Sequence, residues 1–180
     1  MKSVVLKNGE VIKIREAGKD DAASLLAFLD TVCAETDNLT FGPGEMSLTV
    51  EQEIAFLEGM AEKTGAIFLA ALDEQDELVG TIHFVAGTLP RTEHAGEFGM
   101  SVLKAHWGKG LGSALMDALL EWVRERKSIR KVNLKVRADN QNAIHLYKKK
   151  GFVEEGRITR EYLIRGEFHD ILCMGLIIDH

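Results

Sequence analysis

Disulfide frameworks and thiolate metal sites lie outside the reach of this chain of 180 residues, whose two cysteines, Cys33 and Cys173, have no metal-ligand spacing. Each sits in an apolar or mixed segment and reads as a small buried thiol. A run of about eighteen apolar residues, the minimum for a membrane-crossing helix, is also missing. The stretch Met1-Lys2-Ser3-Val4-Val5-Leu6 is broken at Lys7 and Asn8, too soon for a signal peptide, so a cytoplasmic protein with no membrane partner is expected. Positive charge is the next scarcity: 22 Lys and Arg stand against 28 Asp and Glu, a formal net charge of −6. This argues against nucleic acid as a partner, since phosphate-backbone binding needs a concentrated basic face, and it suits a cationic partner. No internal repeat, low-complexity tract or interdomain linker occurs. With 46% hydrophobic residues, the chain reads as one globular domain with a real core over residues 1–180.

What the chain does contain is a glycine-rich stretch, His106-Trp107-Gly108-Lys109-Gly110-Leu111-Gly112-Ser113-Ala114, between a strand-like run and a long amphipathic helix. Glycines let backbone N–H groups crowd toward one object, and the helix they open adds its positive dipole end and unpaired first-turn donors. The pattern points to a phosphate or pyrophosphate. A Walker loop is excluded, because Lys109 stands between glycines rather than before Ser or Thr at the required spacing. A dinucleotide fingerprint lacks its third glycine at Ser113 and its acidic residue, since Asp139 comes too late. An NAD(P)-dependent oxidoreductase therefore stays only as an alternative.

Around the loop the periodicities alternate. Val4 to Ile14 reads as two short strands joined by Asn8-Gly9, a hairpin over about residues 3–15. Ala22, Leu25, Leu26, Leu29 and Val32 recur at helical spacing, with Asp20 or Asp21 available as a cap. A turn-rich, mobile loop from Glu35 to Met46 leads through the capping box Thr49-Val50-Glu51-Gln52 into a second helix over about 50–62. Ile67–Leu72 and Leu78–Val85 read as strands around an acidic turn. Glu97–Val102 alternates and feeds the glycine loop, after which Leu111, Leu115, Ala118, Leu119 and Trp122 form one helical stripe. Ile129–Val136 is a strand, a capped helix begins near Asp139-Asn140 and stops at Gly151, and 153–162 and 171–178 close the chain as strands.

Two separated motifs now coincide in order: the glycine loop opening a helix, and Asn140-x-x-Ala143-Ile144-x-Leu146-Tyr147-x-x-x-Gly151-Phe152. Together they resemble the GCN5-related N-acetyltransferase (GNAT) superfamily, over about Ile12 to Ile178. The resemblance lies toward the branch of ribosomal-protein N-terminal and small-amine acetyltransferases. It implies an α/β (α+β) domain: a mixed, mostly antiparallel seven-stranded sheet splayed between its two central strands, flanked by about four helices. The acetyl-CoA core would span about 97–152. Gly110 and Gly112 match the acyl-CoA signature, whereas Trp107 stands where that signature has Arg or Gln.

By resemblance, acetyl-CoA is the co-substrate and no metal is needed. Met100, Ser101 and Val102 would pair their backbone with pantetheine. Trp107, Gly108, Lys109, Gly110, Leu111, Gly112 and Ser113 would hold the pyrophosphate. Asn140, Asn142 and Lys149 are further cofactor candidates, Asn140 doubling as a helix cap. An amine must lose a proton before it attacks, and a departing thiolate gains from a proton donor. Tyr147 is the candidate acid and Glu97 the candidate base, with His83, His94 and His145 as titratable alternatives. The implied activity is acetyl transfer to a primary amine by direct attack in a ternary complex, in a homodimer joined through the terminal strands. A non-catalytic acyl-CoA-binding sensor is the rival.

Overall fold

The computed structural model describes residues 2–179. In chain order its elements are β1 (Lys2–Val5), β2 (Val11–Glu16), α1 (Ala22–Glu35), α2 (Val50–Ala61), β3 (Ala66–Leu72), β4 (Leu78–Ala86), β5 (Ala95–Val102), α3 (Leu111–Arg124), β6 (Lys131–Arg137), α4 (Gln141–Lys149), β7 (Val153–Ile164) and β8 (Glu167–Ile177). The strands form one sheet in the order β1-β2-β3-β4-β5-β6-β8-β7. The sheet has eight strands rather than the seven the resemblance implies, because the expected N-terminal hairpin joins it at the edge, β1 pairing with β2 from Lys2↔Ile14 to Val5↔Val11. The turn between them closes where Gly9 takes φ +89, a conformation open to glycine.

Helices cover both faces. On one, α3 presents Leu111, Leu115 and Leu119, all fully buried, to Ile82 and Phe84 of the sheet; each such leucine contributes about 1.5–3 kcal/mol. On the other, Leu25, Phe28 and Val32 of α1 and Leu57 and Met60 of α2 pack on Phe68, Ala70 and Leu72. β3 lies between both layers and is buried along its whole length, which accounts for its unbroken apolar sequence. The α2 capping box forms as the sequence requires: Thr49 Oγ1 accepts the Gln52 N–H at 3.3 Å, and Gln52 Oε1 accepts the Thr49 N–H at 2.9 Å. The α1 cap does not form. Asp21 binds both Arg15 guanidinium nitrogens at 2.6 and 2.7 Å and accepts the Gly18 N–H at 2.8 Å, so its carboxylate is committed to the preceding turn.

The central pair, β5 and β6, is parallel and short. Pairing runs only from Ala95↔Lys131 to Glu97↔Asn133. Beyond it β5 continues against β4 as far as Gly80↔Val102, and β6 continues against β8 as far as Arg137↔Ile171. The sheet therefore splits from Phe98 and Leu134 onward, as the resemblance implies. A doubly wound parallel sheet, which a dinucleotide site needs, is not what this chain builds.

Candidate active site

Ladder geometry decides which backbone groups of β5 face the split. Gly87 N–H donates to the Ala95 carbonyl at 3.0 Å and Leu103 N–H to the Val79 carbonyl at 3.1 Å. In an antiparallel ladder hydrogen-bonded pairs alternate, so Glu97, Gly99 and Ser101 turn their peptide groups toward β4. Met100 and Val102 turn theirs toward the split. Ser101 thus departs from the expectation that three consecutive residues offer backbone to pantetheine.

The glycine loop lies at the same end of the sheet. Gly108 and Gly110 have φ +72 and +101, and Gly110 is the N-cap of α3. The backbone N–H groups of residues 108 to 113 donate to no acceptor among the described residues; the first intrahelical bond is Ala114 N–H to the Gly110 carbonyl at 3.0 Å. Unpaired donors at the positive end of a helix of 14 residues make a cradle for an anion. Gly112 serves packing: a Cβ there would stand 3.3 Å from Leu146 Cδ2 and 3.5 Å from Met100 Cε, so only glycine lets α3 settle against α4 and β5 without displacement. The residues present fit a pyrophosphate, and acetyl-CoA in this place would lay its pantetheine along the split.

Three side chains of the loop have other partners. Trp107 Nε1 donates to the Val102 carbonyl at 2.8 Å, so the indole holds the loop to the end of β5 at the position where the signature has Arg or Gln. Lys109 donates to Glu10 Oε1 at 2.7 Å, and His106 Nε2 lies 3.4 Å from Glu10 Oε2. Lys109 holds Glu10 below the usual carboxylate range, and its own charge is directed at the β1–β2 turn. Lys7 N–H donates to the Lys109 carbonyl at 3.0 Å, stitching that turn to the loop. Sequence spacing gave no sign of these contacts.

The two faces of the split differ. On the α3–α4 face, Phe98 packs edge-on against Tyr147 of α4 at 5.6 Å and against Phe152 at 5.7 Å. Burial pushes the Tyr147 hydroxyl up to about 12. Asn140 caps α4 by accepting the Ala143 N–H at 3.2 Å; Asn142 and Lys149 are exposed. On the α1–α2 face, Glu97 is exposed and shares its side of β5 with Gly99 and Ser101. His83 of β4 lies over Gly99 on this face, where a Cβ would come within 2.5 Å of its Cε1. Its ring stacks on Phe68 at 5.6 Å and 17°, and burial lowers its pKa. His145 is exposed on α4. His94, just ahead of β5, accepts with its carbonyl from the Arg130 and Lys131 N–H groups at 2.7 and 3.1 Å.

The segment after α1 is tethered over this face. Arg137, buried at the end of β6, donates to the Asp37 carbonyl at 2.8 Å, to both Asp139 carboxylate oxygens at 3.0 and 2.6 Å, and lies 3.1 Å from His169 Nδ1. Arg165 in the β7–β8 turn reaches Asp37 Oδ1 at 2.9 Å. Glu35 accepts the Lys104 N–H at 2.7 Å. The loop expected to be mobile is bound at its start, through Glu35 and Asp37, to both halves of the sheet.

The model of the "Acetyltransferase (GNAT) family" matches residues 33–152, which include the split, the glycine loop and α4. The chain belongs to the GNAT family. With membership go the enzyme class, an acetyl-CoA-dependent N-acetyltransferase, and the co-substrate. A GNAT acetyltransferase from Streptococcus pneumoniae superimposes with TM-score 0.89 at 36% identity, over 93% of this chain and 99% of that one. The L-amino acid N-acetyltransferase AaaT of Escherichia coli is 32% identical over 67% of this chain and 74% of its own. The spermidine N(1)-acetyltransferase of Vibrio cholerae is 30% identical over 58% of this chain; the match spans 60% of that enzyme.

Proposed function

We propose that this GNAT protein transfers the acetyl group of acetyl-CoA to a primary amine by direct attack in a ternary complex. The observation that carries the reading is the split between β5 and β6 ending beside the unpaired N–H groups of residues 108 to 113. Met100 and Val102 supply backbone donors to the pantetheine, the loop and the start of α3 hold the pyrophosphate, and Asn140 orients α4 beside them. Glu97 faces the amine and takes a proton from the incoming ammonium, directly or through water. Tyr147 serves the sulfur from the opposite face. The acceptor is an amino acid, a polyamine or a protein N-terminus, the classes named for the relatives, and the acidic balance of the chain favours a cationic one.

The protein would act in the cytoplasm as a homodimer joined through the β7–β8 hairpin, whose outer strand is a sheet edge with Val153 and Leu163 exposed. Among the described residues no helix is long and apolar enough to cross a membrane. The test is thiol release from acetyl-CoA across polyamines, amino acids, aminoglycosides and peptides with free N-termini. Turnover with one class supports the reading. Tight CoA binding without turnover on any amine favours a sensor.

A further inference from the structure

His83 is a partly buried titratable side chain that the roles above leave unused. It sits in the middle of β4, and neither ring nitrogen has a hydrogen-bond partner among the described residues. Three features fix its place. Phe68 of β3 stacks flat on one side of the ring. Gly99 of β5 lies directly opposite in register, and the ring occupies the space where a side chain would stand, with Cε1 2.5 Å from an ideal Cβ. Phe56 of α2, itself half-exposed, meets Phe68 edge-on at 6.1 Å and continues an aromatic wall above it.

Leaning over Gly99 brings the imidazole to the strand that borders the split. There it occupies the face opposite Tyr147, which packs beneath Phe98 from α4. An acyl group lying in the split would therefore have the tyrosine on one side and the histidine on the other.

Resting on the acetyltransferase reading above, we propose that His83 is a catalytic residue that accepts the proton released when the acceptor nitrogen joins the acetyl carbon. The free amine's lone pair forms the C–N bond while the carbonyl π pair moves to oxygen. The nitrogen is then positively charged, and its N–H proton passes to the lone pair of an imidazole nitrogen of His83. The oxygen pair re-forms the carbonyl, the C–S bond breaks, and its electrons leave on sulfur, which accepts a hydrogen bond from Tyr147 and then a proton from solvent. His83 returns its proton to solvent. Glu97 and His83 thus handle different protons, the first before attack and the second after it.

The imidazole works only when neutral. Burial lowers its pKa, so the active form dominates at neutral pH and is lost on acidification below about 6.5. Its packing neighbours Phe68 and Gly99 carry no charge. Titratable groups on this face include Glu97 on β5, Tyr162 on β7, whose ionisation is opposed first by burial and then by Glu161 and Glu97, the buried Glu53 on α2, and the tether groups Glu35, Asp37, Arg137, Asp139, Arg165 and His169; none contributes to the shift of His83, which burial alone produces.

The test uses the full chain, acetyl-CoA and whichever of spermidine, an L-amino acid or an N-terminal peptide the unsubstituted protein turns over fastest. His83→Phe keeps the stack on Phe68 and should lower kcat by about 10²–10⁴-fold with the KM for acetyl-CoA unchanged. The acidic limb of kcat/KM should vanish in His83→Phe and persist in Glu97→Gln. In His83→Ala, free imidazole should restore turnover in a dose-dependent way. A kcat within threefold of the parent in His83→Phe overturns the role, as does an acidic limb that leaves with Glu97 instead, or a His83→Ala variant that is folded by circular dichroism and deaf to imidazole. Absence of turnover in the unsubstituted protein overturns the acetyltransferase reading, and this role with it.

Discussion

Replacing Tyr147 by Phe separates its two possible duties, because the ring and the hydroxyl do different things. The ring packs against Phe98 and Phe152, at 5.6 and 6.1 Å, and Phe keeps both contacts. The hydroxyl has no protein partner among the described residues, so its removal should change stability by less than about 0.5 kcal/mol, the range of substitutions that touch no special feature. Truncation to Ala would instead cost about 3–5 kcal/mol through the cavity left behind. For catalysis the buried hydroxyl, pushed up to about 12, is a weaker acid than a thiol of ordinary pKa about 8.5. Full transfer to the sulfur would be uphill by about 5 kcal/mol at about 1.36 kcal/mol per unit. A hydrogen bond to the departing thiolate is the economical role, and a bond to a charged acceptor is worth about 1.5–3 kcal/mol. Tyr147→Phe should therefore lower kcat by about 10- to 150-fold, at about 1.36 kcal/mol per tenfold, with CoA affinity nearly intact. Stopped thiol-release assays at saturating acetyl-CoA, beside a thermal melt, measure both. Unchanged kcat, or a kcat loss that tracks a fall in Tm, would refute the assignment.

Gly110→Glu places bulk and negative charge at φ +101 on the N-cap of α3, and calorimetry should find CoA binding abolished; retained affinity removes the loop from the site. Trp107→Phe loses the bond to the Val102 carbonyl and should raise the KM for acetyl-CoA several-fold, whereas Trp107→Gln, which keeps a donor, should raise it less. Equal effects would show that only the aromatic bulk matters. Arg137→Met cuts the tether to Asp37, and steady-state kinetics should show a higher KM for the amine with the KM for acetyl-CoA little changed. Asp21 is held below the usual carboxylate range by Arg15 and the Gly18 N–H, so its contribution to stability is present above the ordinary Asp pKa and lost as pH falls through the lowered one. Acid melts of Asp21→Asn should accordingly lose the pH-dependent part of the parent's curve, and superimposable curves would argue against it.

What could be read from the chain was what is local. The Asn8-Gly9 turn, the Thr49–Gln52 box and the alternation through Glu97–Val102 depend on neighbours a few residues apart, and they appear as written. The glycine loop was equally legible, because positive φ and a helix start leave their mark in residue type. Contacts across long separations were not. Glu10 meets Lys109 and Arg137 meets Asp37 only once the sheet order is known, and nothing in either segment names the other. Ser101 shows a subtler limit: side-chain alternation reveals which face a residue occupies but not which neighbouring strand its peptide groups address. His83 was visible merely as a titratable residue inside an apolar strand. Its importance comes from Gly99, which is close to it in space and 16 positions away in the chain.

The short pairing of β5 with β6 also has a mechanical side. Past Glu97 and Asn133, no rung among the described residues joins the five strands β1–β5 to the three strands β6, β8 and β7, so the sheet is two plates sharing a brief seam. A molecule lying in the opening would bond to the backbone of one plate and pack against the other, acting as a missing strand. Its binding energy would enter the folding equilibrium as RT ln(1 + [L]/Kd), about 2.7 kcal/mol at a hundredfold excess over Kd. The co-substrate would then be a structural rung as well as a reactant, and release of spent CoA would loosen the seam each time the product leaves.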